Sequence, residues 1–406
     1  MENAVIVAAA RSPIGRAHRG SLREMRADDL AVAMTRAALD QVPALDPSEV
    51  DDLLLGCAQP AGEQGYGLGR IVAMQLGLDG VPGTTVQRYC SSSLQSTRMA
   101  MHAIRSDEGR TYLSVGTESV SRYVNGKADG MPDTRHRGYA EAEARTAERA
   151  SGNGLAWRDP RADGLLPDIY ISMGETAENV AQLRGVSRKA QDEFAALSQN
   201  RAEKAIADGF WGSDITPVTT PSGATVAADD GPRAGVTSQT LAGLAPAFRP
   251  DGTVTAGNCC PVNDGAAALV VMAESRAAEL GITPLARILS TGVAAISPEI
   301  MGLSPVPASR QALRNAGLTI DDVDLMEINE AFAAQVIPCI DDLGIDIERV
   351  NVHGGAIAVG HPFGMTGARI TTSLIHGLQA RDKEIGLETM CVAGGQGMAM
   401  VIQRLS

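Results

Sequence analysis

The chain alternates between short, almost wholly apolar runs and longer stretches in which apolar residues recur every third or fourth position. Residues 5–10 form one such run and end at Arg11-Ser12-Pro13, which predicts a buried strand delivering the chain to a loop. Residues 28–39 have helical spacing, and 50–57 read as a strand ending in small residues. Residues 84–89 read as a strand leading into Cys90-Ser91-Ser92-Ser93-Leu94 and a helix through Ile104; 111–115 read as the next strand. Such alternation predicts a layered α/β sheet.

The end of the chain repeats this order. Residues 286–290 read as strand, 309–316 as helix and 323–328 as strand; 350–353 precede a glycine-rich turn and a helix from about Thr366, and 387–392 read as the matching last strand. Asp51-Asp52-Leu53-Leu54-Leu55 pairs with Asp322-Val323-Asp324-Leu325-Met326, and the segment around Cys90 pairs with that around His361. The expectation is two similarly folded halves from a duplication, giving two sheets with helices sandwiched between them and functional loops at strand ends. Residues 121–250 change character, with charged and Gly/Pro-rich stretches such as 127–137 and 227–234 and helical spacing within 176–183 and 188–207. They read as an inserted lid or loop domain. The resulting division is 1–120 with 251–280 as the N-terminal half, 121–250 as the insertion and 281–406 as the C-terminal half.

Length and composition agree with this picture. The chain has 406 residues, 44% hydrophobic, 20% charged and with 44 glycines, which suits closely packed layers with tight turns. A net charge of -13 gives no basic face for nucleic acid, although an anionic cofactor needs only a local basic patch. The N-terminal residues lack a basic region before the apolar run, and no apolar run reaches membrane-spanning length, so the expected location is cytoplasmic, with no membrane partner. None of the six cysteines forms a Cys-x-x-Cys pair, and no metal site is expected.

Four segments carry candidate chemistry. Cys90 lies between an extended run and a helix, where the partial positive charge of a helix N-terminus is expected to lower a thiol pKa; on spacing alone it reads equally as a buried, inert cysteine. His361 lies in a glycine-dense stretch, Gly354 to Gly367, that fixes an imidazole in a tight turn; it is a candidate base because a distant cysteine awaits activation. Asn329, in Glu327-Ile328-Asn329-Glu330, ends a strand and is a candidate holder of an oxyanion-stabilising water, or else a helix cap. Cys391 precedes Val392-Ala393-Gly394-Gly395, whose N–H groups can face a developing negative oxygen, although a buried thiol beside a turn is the plainer reading.

These motifs, in this order, resemble those of the thiolase family: Cys90 in Arg-Tyr-Cys-Ser-Ser-Ser-Leu, Asn329 in Asn-Glu-Ala-Phe-Ala, His361 in Gly-His-Pro-Phe-Gly and Cys391 in Cys-Val-Ala-Gly-Gly-Gln-Gly. Gly252 to Asn258 and Asn263 to Ala267 match another motif, so the resemblance covers essentially the whole chain. It implies a five-layered α-β-α-β-α thiolase fold, a homodimer or homotetramer, acyl-CoA substrates, and coenzyme A as co-substrate with no permanently bound cofactor. Carried over, it makes Cys90 the acyl acceptor, His361 its base, and Cys391 the acid/base at the acetyl α-carbon. The backbone N–H groups of Cys90 and Ala393 would hold the tetrahedral oxyanion, and His361 with an Asn329-held water the enolate oxygen. Met173, Arg233, Ala256, Cys260, Ala331, Phe332 and Phe363 are the implied substrate and CoA contacts. Departures are Ala393 where glycine is common, Cys260 at a common serine, His353 at a common asparagine, and Ser172 where short-chain members carry histidine. The activity implied is thiolytic cleavage of 3-ketoacyl-CoA or its reverse condensation. A ketosynthase or hydroxymethylglutaryl-CoA synthase lacks a second cysteine like Cys391, and a lipid carrier without turnover would not need all four residues.

Overall fold

The first strand explains why its sequence is apolar on both faces. In β1 (Ala4–Arg11), Val5 and Val7 join one hydrophobic core while Ala4, Ile6 and Ala9 join another. Because successive side chains of a strand point to opposite faces, the sheet here is covered on both sides. The computed structural model describes residues 2–122, 135–152 and 155–406; of the charged stretch 127–137, residues 127–134 lie outside them.

The N-terminal half contributes β1, β2 (Asp52–Gly56), β3 (Gly83–Val86), β4 (Thr111–Ser119) and β5 (Asn263–Ala273) in the spatial order β1-β5-β4-β2-β3. β1, β5 and β4 are successively antiparallel, then β4, β2 and β3 are parallel. The C-terminal half repeats this with β6 (Ala286–Ala295), β9 (Gln396–Arg404), β8 (Ile385–Val392) and β7 (Leu325–Ile328), and the same directions. A parallel bridge from Met326 to Val350 stands where β3 stands in the first half. Where the sequence suggests two separate sheets, β1 and β6 meet through Val5–Arg287 and Ile6–Ala286, so one sheet of these nine strands runs through both halves, with the short strand Gly15–Arg16 on β5 as a tenth among the described residues. Residues 387–392 belong to the penultimate strand, because Gln396–Arg404 returns antiparallel beside it.

The layers follow from the alternation. The outer core of the first half takes Leu53, Leu55, Leu113, Val115 and Val270 with Leu30, Ala31 and Met34 of helix α1 (Ala27–Leu39). The central core takes the opposite face, including Leu54, Leu269, Leu325, Met390 and Met398, against α2 (Ser92–Arg105) and the later helix Thr366–Ala380. These two helices touch closely: a Cβ on Gly367 would lie 2.3 Å from the Leu94 nitrogen, so only glycine fits there.

Two helices of the 121–250 segment, α3 (Met173–Arg184) and α4 (Arg188–Ala207), pack on the C-terminal half. There, α5 (Pro305–Ala316) and α6 (Ala333–Leu343) cover the outer face of the sheet and α7 (Thr366–Ala380) the inner one. A buried ionic anchor ties the 121–250 segment to β1: Arg11 pairs with Asp214 and, at 2.7 Å, with Asp229, while His376 Nδ1 lies 2.7 Å from Asp214. Among the described residues no helix is long and apolar enough to cross a membrane.

Candidate active site

The chain leaves β3 and makes one tight helical turn, Tyr89–Ser91, continuous with α2, so Cys90 sits at the N-terminal end of that helix. Tyr89 holds φ at 44°, a left-handed conformation that a bulky side chain adopts at a cost of about 1 kcal/mol or more. Serines hold the turn in place: Arg88 N donates to Ser92 Oγ at 2.9 Å, Ser92 Oγ donates to Tyr89 O at 2.6 Å, and Ser91 Oγ donates to Arg88 O. Arg88 Nη1 donates to Gln396 Oε1 at 2.7 Å, tying the Cys90 turn to β9 of the other half. Burial pushes the Cys90 thiol up to about 12. Loss of hydration there acts against the charged form and opposes the helix terminus, which favours it.

His361 is buried and fixed at every polar atom. Its main-chain N donates to Asn263 Oδ1 at 2.9 Å. Nδ1 lies 2.6 Å from Thr366 Oγ1, and that hydroxyl donates onward to Pro362 O at 2.8 Å. The Thr366 oxygen must then accept, so Nδ1 carries the proton and Nε2 presents a lone pair. Asn329 Nδ2 stands 3.2 Å from Nε2 and donates to it, a contact that must give way when Nε2 takes up a proton. Burial, reinforced by the positive charge of Arg369, lowers the imidazole to about 3. The site thus holds a neutral imidazole of one tautomer. Asn329 Oδ1 is buried without a hydrogen-bond partner, which leaves it free to accept from a small donor such as water.

Cys391 lies at the end of β8, buried, with its thiol held well above the usual range by burial and by the neighbouring Cys90. The strand turns at Ala393, Gly394 and Gly395; Gly395 has φ of 77° and a Cβ there would lie 2.2 Å from Ile296 O, so the turn requires glycine. Cys260 is influenced by both Cys90 and Cys391, which puts three thiols in one neighbourhood. Met173, Cys259 and Cys260 pack on a cluster containing Ala331, Phe332 and Cys391. Phe363 meets the His361 ring edge-on with centroids 5.1 Å apart. Arg233, Ala256 and Cys260 line one cavity of about 320 Å³. His353 stacks on Phe210 at 3.6 Å.

The structure thus brings Asn329 to His361, and Cys90, Cys260 and Cys391 into one neighbourhood with Ala331 and Phe332, whereas His353 faces a different cavity. It also adds several residues. Thr366 and Asn263 fix the histidine, and Phe248 packs on Phe332 with centroids 6.1 Å apart. Thr366, five residues after His361 at the start of a helix, was the one with a local signal. Arg16 and Arg19 line the cavity with Arg233 but come from a loop more than two hundred residues away in sequence.

The family model for the N-terminal domain of thiolase matches residues 4–275, and that for the C-terminal domain matches 282–404. An acetyl-CoA acetyltransferase of Escherichia coli (strain K12) is 43% identical, with all of both chains covered. A 3-ketoacyl-CoA thiolase of Cronobacter sakazakii is 42% identical over the same shares. The dimeric peroxisomal thiolase of Saccharomyces cerevisiae superimposes with a TM-score of 0.87 at 33% identity, covering 99% of this chain and 97% of that one. With the two domain models together matching residues 4–275 and 282–404, this chain belongs to the thiolase family.

Proposed function

We propose that the protein is an acyl-CoA thiolase that cleaves 3-ketoacyl-CoA with CoA, and runs the reverse condensation, through an acyl group carried on Cys90. The observation that supports this most is the single-tautomer His361, whose unprotonated Nε2 is the base that a neutral Cys90 thiol requires.

In cleavage, Cys90 Sγ attacks the 3-keto carbon as its proton passes to His361 Nε2, so that no free thiolate has to exist beforehand. The backbone N–H groups of Cys90 and Ala393 hold the oxyanion. The carbon–carbon bond breaks, and the enolate of acetyl-CoA takes a proton from Cys391. His361 and a water on the open Oδ1 of Asn329 stabilise its oxygen. A second CoA thiol then attacks the acyl-Cys90 thioester, returns its proton to the site and releases the shortened acyl-CoA. Condensation reverses these steps, with Cys391 removing the α-proton of acetyl-CoA. Met173, Ala256, Cys260, Ala331, Phe332 and Phe363 line the path of the pantetheine arm and acyl group. CoA acts as co-substrate, with no resident cofactor or metal. The enzyme works in the cytoplasm as a homodimer or a homotetramer.

The experiment is CoA-dependent thiolysis over a series of 3-ketoacyl-CoA chain lengths, beginning with acetoacetyl-CoA, with Cys90→Ser and Cys391→Ala as controls. Turnover lost in both variants supports the two-cysteine reading, and the optimum names the preferred chain length. Absence of thiolysis by folded wild-type protein at every length overturns it in favour of a carrier.

A further inference from the structure

The cavity beside Cys260 is basic in a chain whose net charge is strongly negative. Arg16, Arg19 and Arg233 line it together with Ala256, Cys260 and Val262. The guanidiniums of Arg19 and Arg233 have no hydrogen bond or ion pair among the described residues. Arg16 keeps only a 3.5 Å contact from Nη2 to Gly231 O, and its Nε is buried with no partner. Positive groups gathered this way repel one another, and the nearby Arg233 acts with burial to make the Arg16 charge less favourable.

Two adjacent aspartates hold the loops in place without neutralising this end. Asp229 Oδ1 accepts from Ile14 N at 2.7 Å and is already paired with Arg11. Asp230 Oδ2 accepts from Arg16 N at 2.9 Å and Ser21 N at 2.8 Å, so it engages the backbone of Arg16, although its charge partly favours the Arg16 cation. Arg233 N donates to Gln199 Oε1 at 2.9 Å on α4. The backbones of Arg16 and Arg233 are fixed while none of the three guanidiniums is paired with a carboxylate, the preorganisation that an anion with several oxygens requires.

We propose that Arg16 and Arg19 of the N-terminal loop join Arg233 in holding the phosphate groups of CoA, so that the loop at 14–21 is part of the CoA-binding surface. This rests on the thiolase reading above. The ligand end that fits is phosphate, because the cavity leads to Cys260, which neighbours Cys90 and Cys391, and the thiol end of the same molecule must reach them. An acyl group with a terminal carboxylate would put its charge beyond Cys90, on the opposite side of the reacting carbon.

The test varies the accepting thiol while one 3-ketoacyl-pantetheine donor is held saturating. CoA, dephospho-CoA and pantetheine are compared in the wild type and in Arg16→Met, Arg19→Met and Arg233→Met. The expected loss in kcat/KM for CoA is about tenfold per variant, the lower end for a lost charged hydrogen bond. It shrinks for dephospho-CoA and is absent for pantetheine, and the wild-type advantage of CoA over pantetheine falls steeply with salt. Arg16→Lys recovers part of the loss. Equal losses with pantetheine, or none with CoA, overturn the assignment while leaving thiolase chemistry intact. Wild-type protein that turns over none of the three thiols fails the thiolase reading instead, and calorimetric titration with CoA then still decides the arginines, by weaker binding in the variants or by binding unchanged.

Discussion

Replacing Thr366 by valine tests the reasoning about the base with little change in shape. The hydroxyl accepts from His361 Nδ1 at 2.6 Å and donates to Pro362 O at 2.8 Å, all in a buried setting. Without it, a buried Nδ1–H loses its acceptor, a cost of about 1–3 kcal/mol. The ring escapes that cost only by moving its proton to Nε2, where it would confront the donating Nδ2 of Asn329 at 3.2 Å and remove the lone pair that accepts the Cys90 proton. Either way the productive state is raised by about 1–3 kcal/mol, which converts to a loss of about five- to 150-fold in kcat/KM. The assay is thiolysis of acetoacetyl-CoA at pH 7.5 or so, with Thr366→Ser as the variant that keeps the hydroxyl and should stay within about threefold of wild type. Thermal unfolding of both variants separates loss of fold from loss of base. A folded Thr366→Val enzyme within twofold of wild-type kcat/KM refutes the tautomer reasoning.

Two further outcomes follow from the buried titratable groups. The Cys90 thiol is raised to about 12 and His361 lowered to about 3, so the resting pair is uncharged; the rate of Cys90 alkylation by iodoacetamide should keep climbing from pH 6 to pH 9, whereas a plateau beginning below pH 6 would mean a resting thiolate–imidazolium pair. Glu327, buried near Arg369, is raised by burial from 4.5 to about 8. A folded pKa above the unfolded one means that its stabilisation is complete below about pH 4.5 and is lost as pH rises through 8, so Glu327→Gln should gain on wild type by the order of 1–3 kcal/mol in urea melts between pH 5 and pH 8. A difference that stays constant over that window contradicts a protonated buried Glu327.

Much of the fold was legible because both its halves carry the same run of strand and helix, so each confirms the other. The wholly apolar 5–10 segment announced a buried strand, yet only the structure assigns Val5 to the outer core and Ile6 to the central one, since an unbroken apolar run gives no face. The final strand Gln396–Arg404 was hidden because Gly394 and Gly395 before it and Gly397 within it read as loop. Cys90, Asn329, His361 and Cys391 stood out because each sits in a dense local motif. Arg16 and Arg19 did not, because a charged loop residue looks like solvated surface until the fold brings Arg233 beside it. The effect opposing Cys90 activation was hidden for a similar reason: the dipole is visible in local sequence, whereas desolvation comes from residues distant in the chain.

Rapid quench followed by peptide mass spectrometry decides whether Cys90 carries the acyl group and Cys391 handles the α-proton. Wild-type enzyme mixed with acetyl-CoA should carry acetyl on the peptide containing Cys90 and on no other cysteine. Cys391→Ala should acquire the same label yet fail to form acetoacetyl-CoA or exchange the acetyl α-protons with deuterated water. A label absent from Cys90, a label on Cys260 or Cys391 instead, or condensation at the wild-type rate by Cys391→Ala would contradict the account.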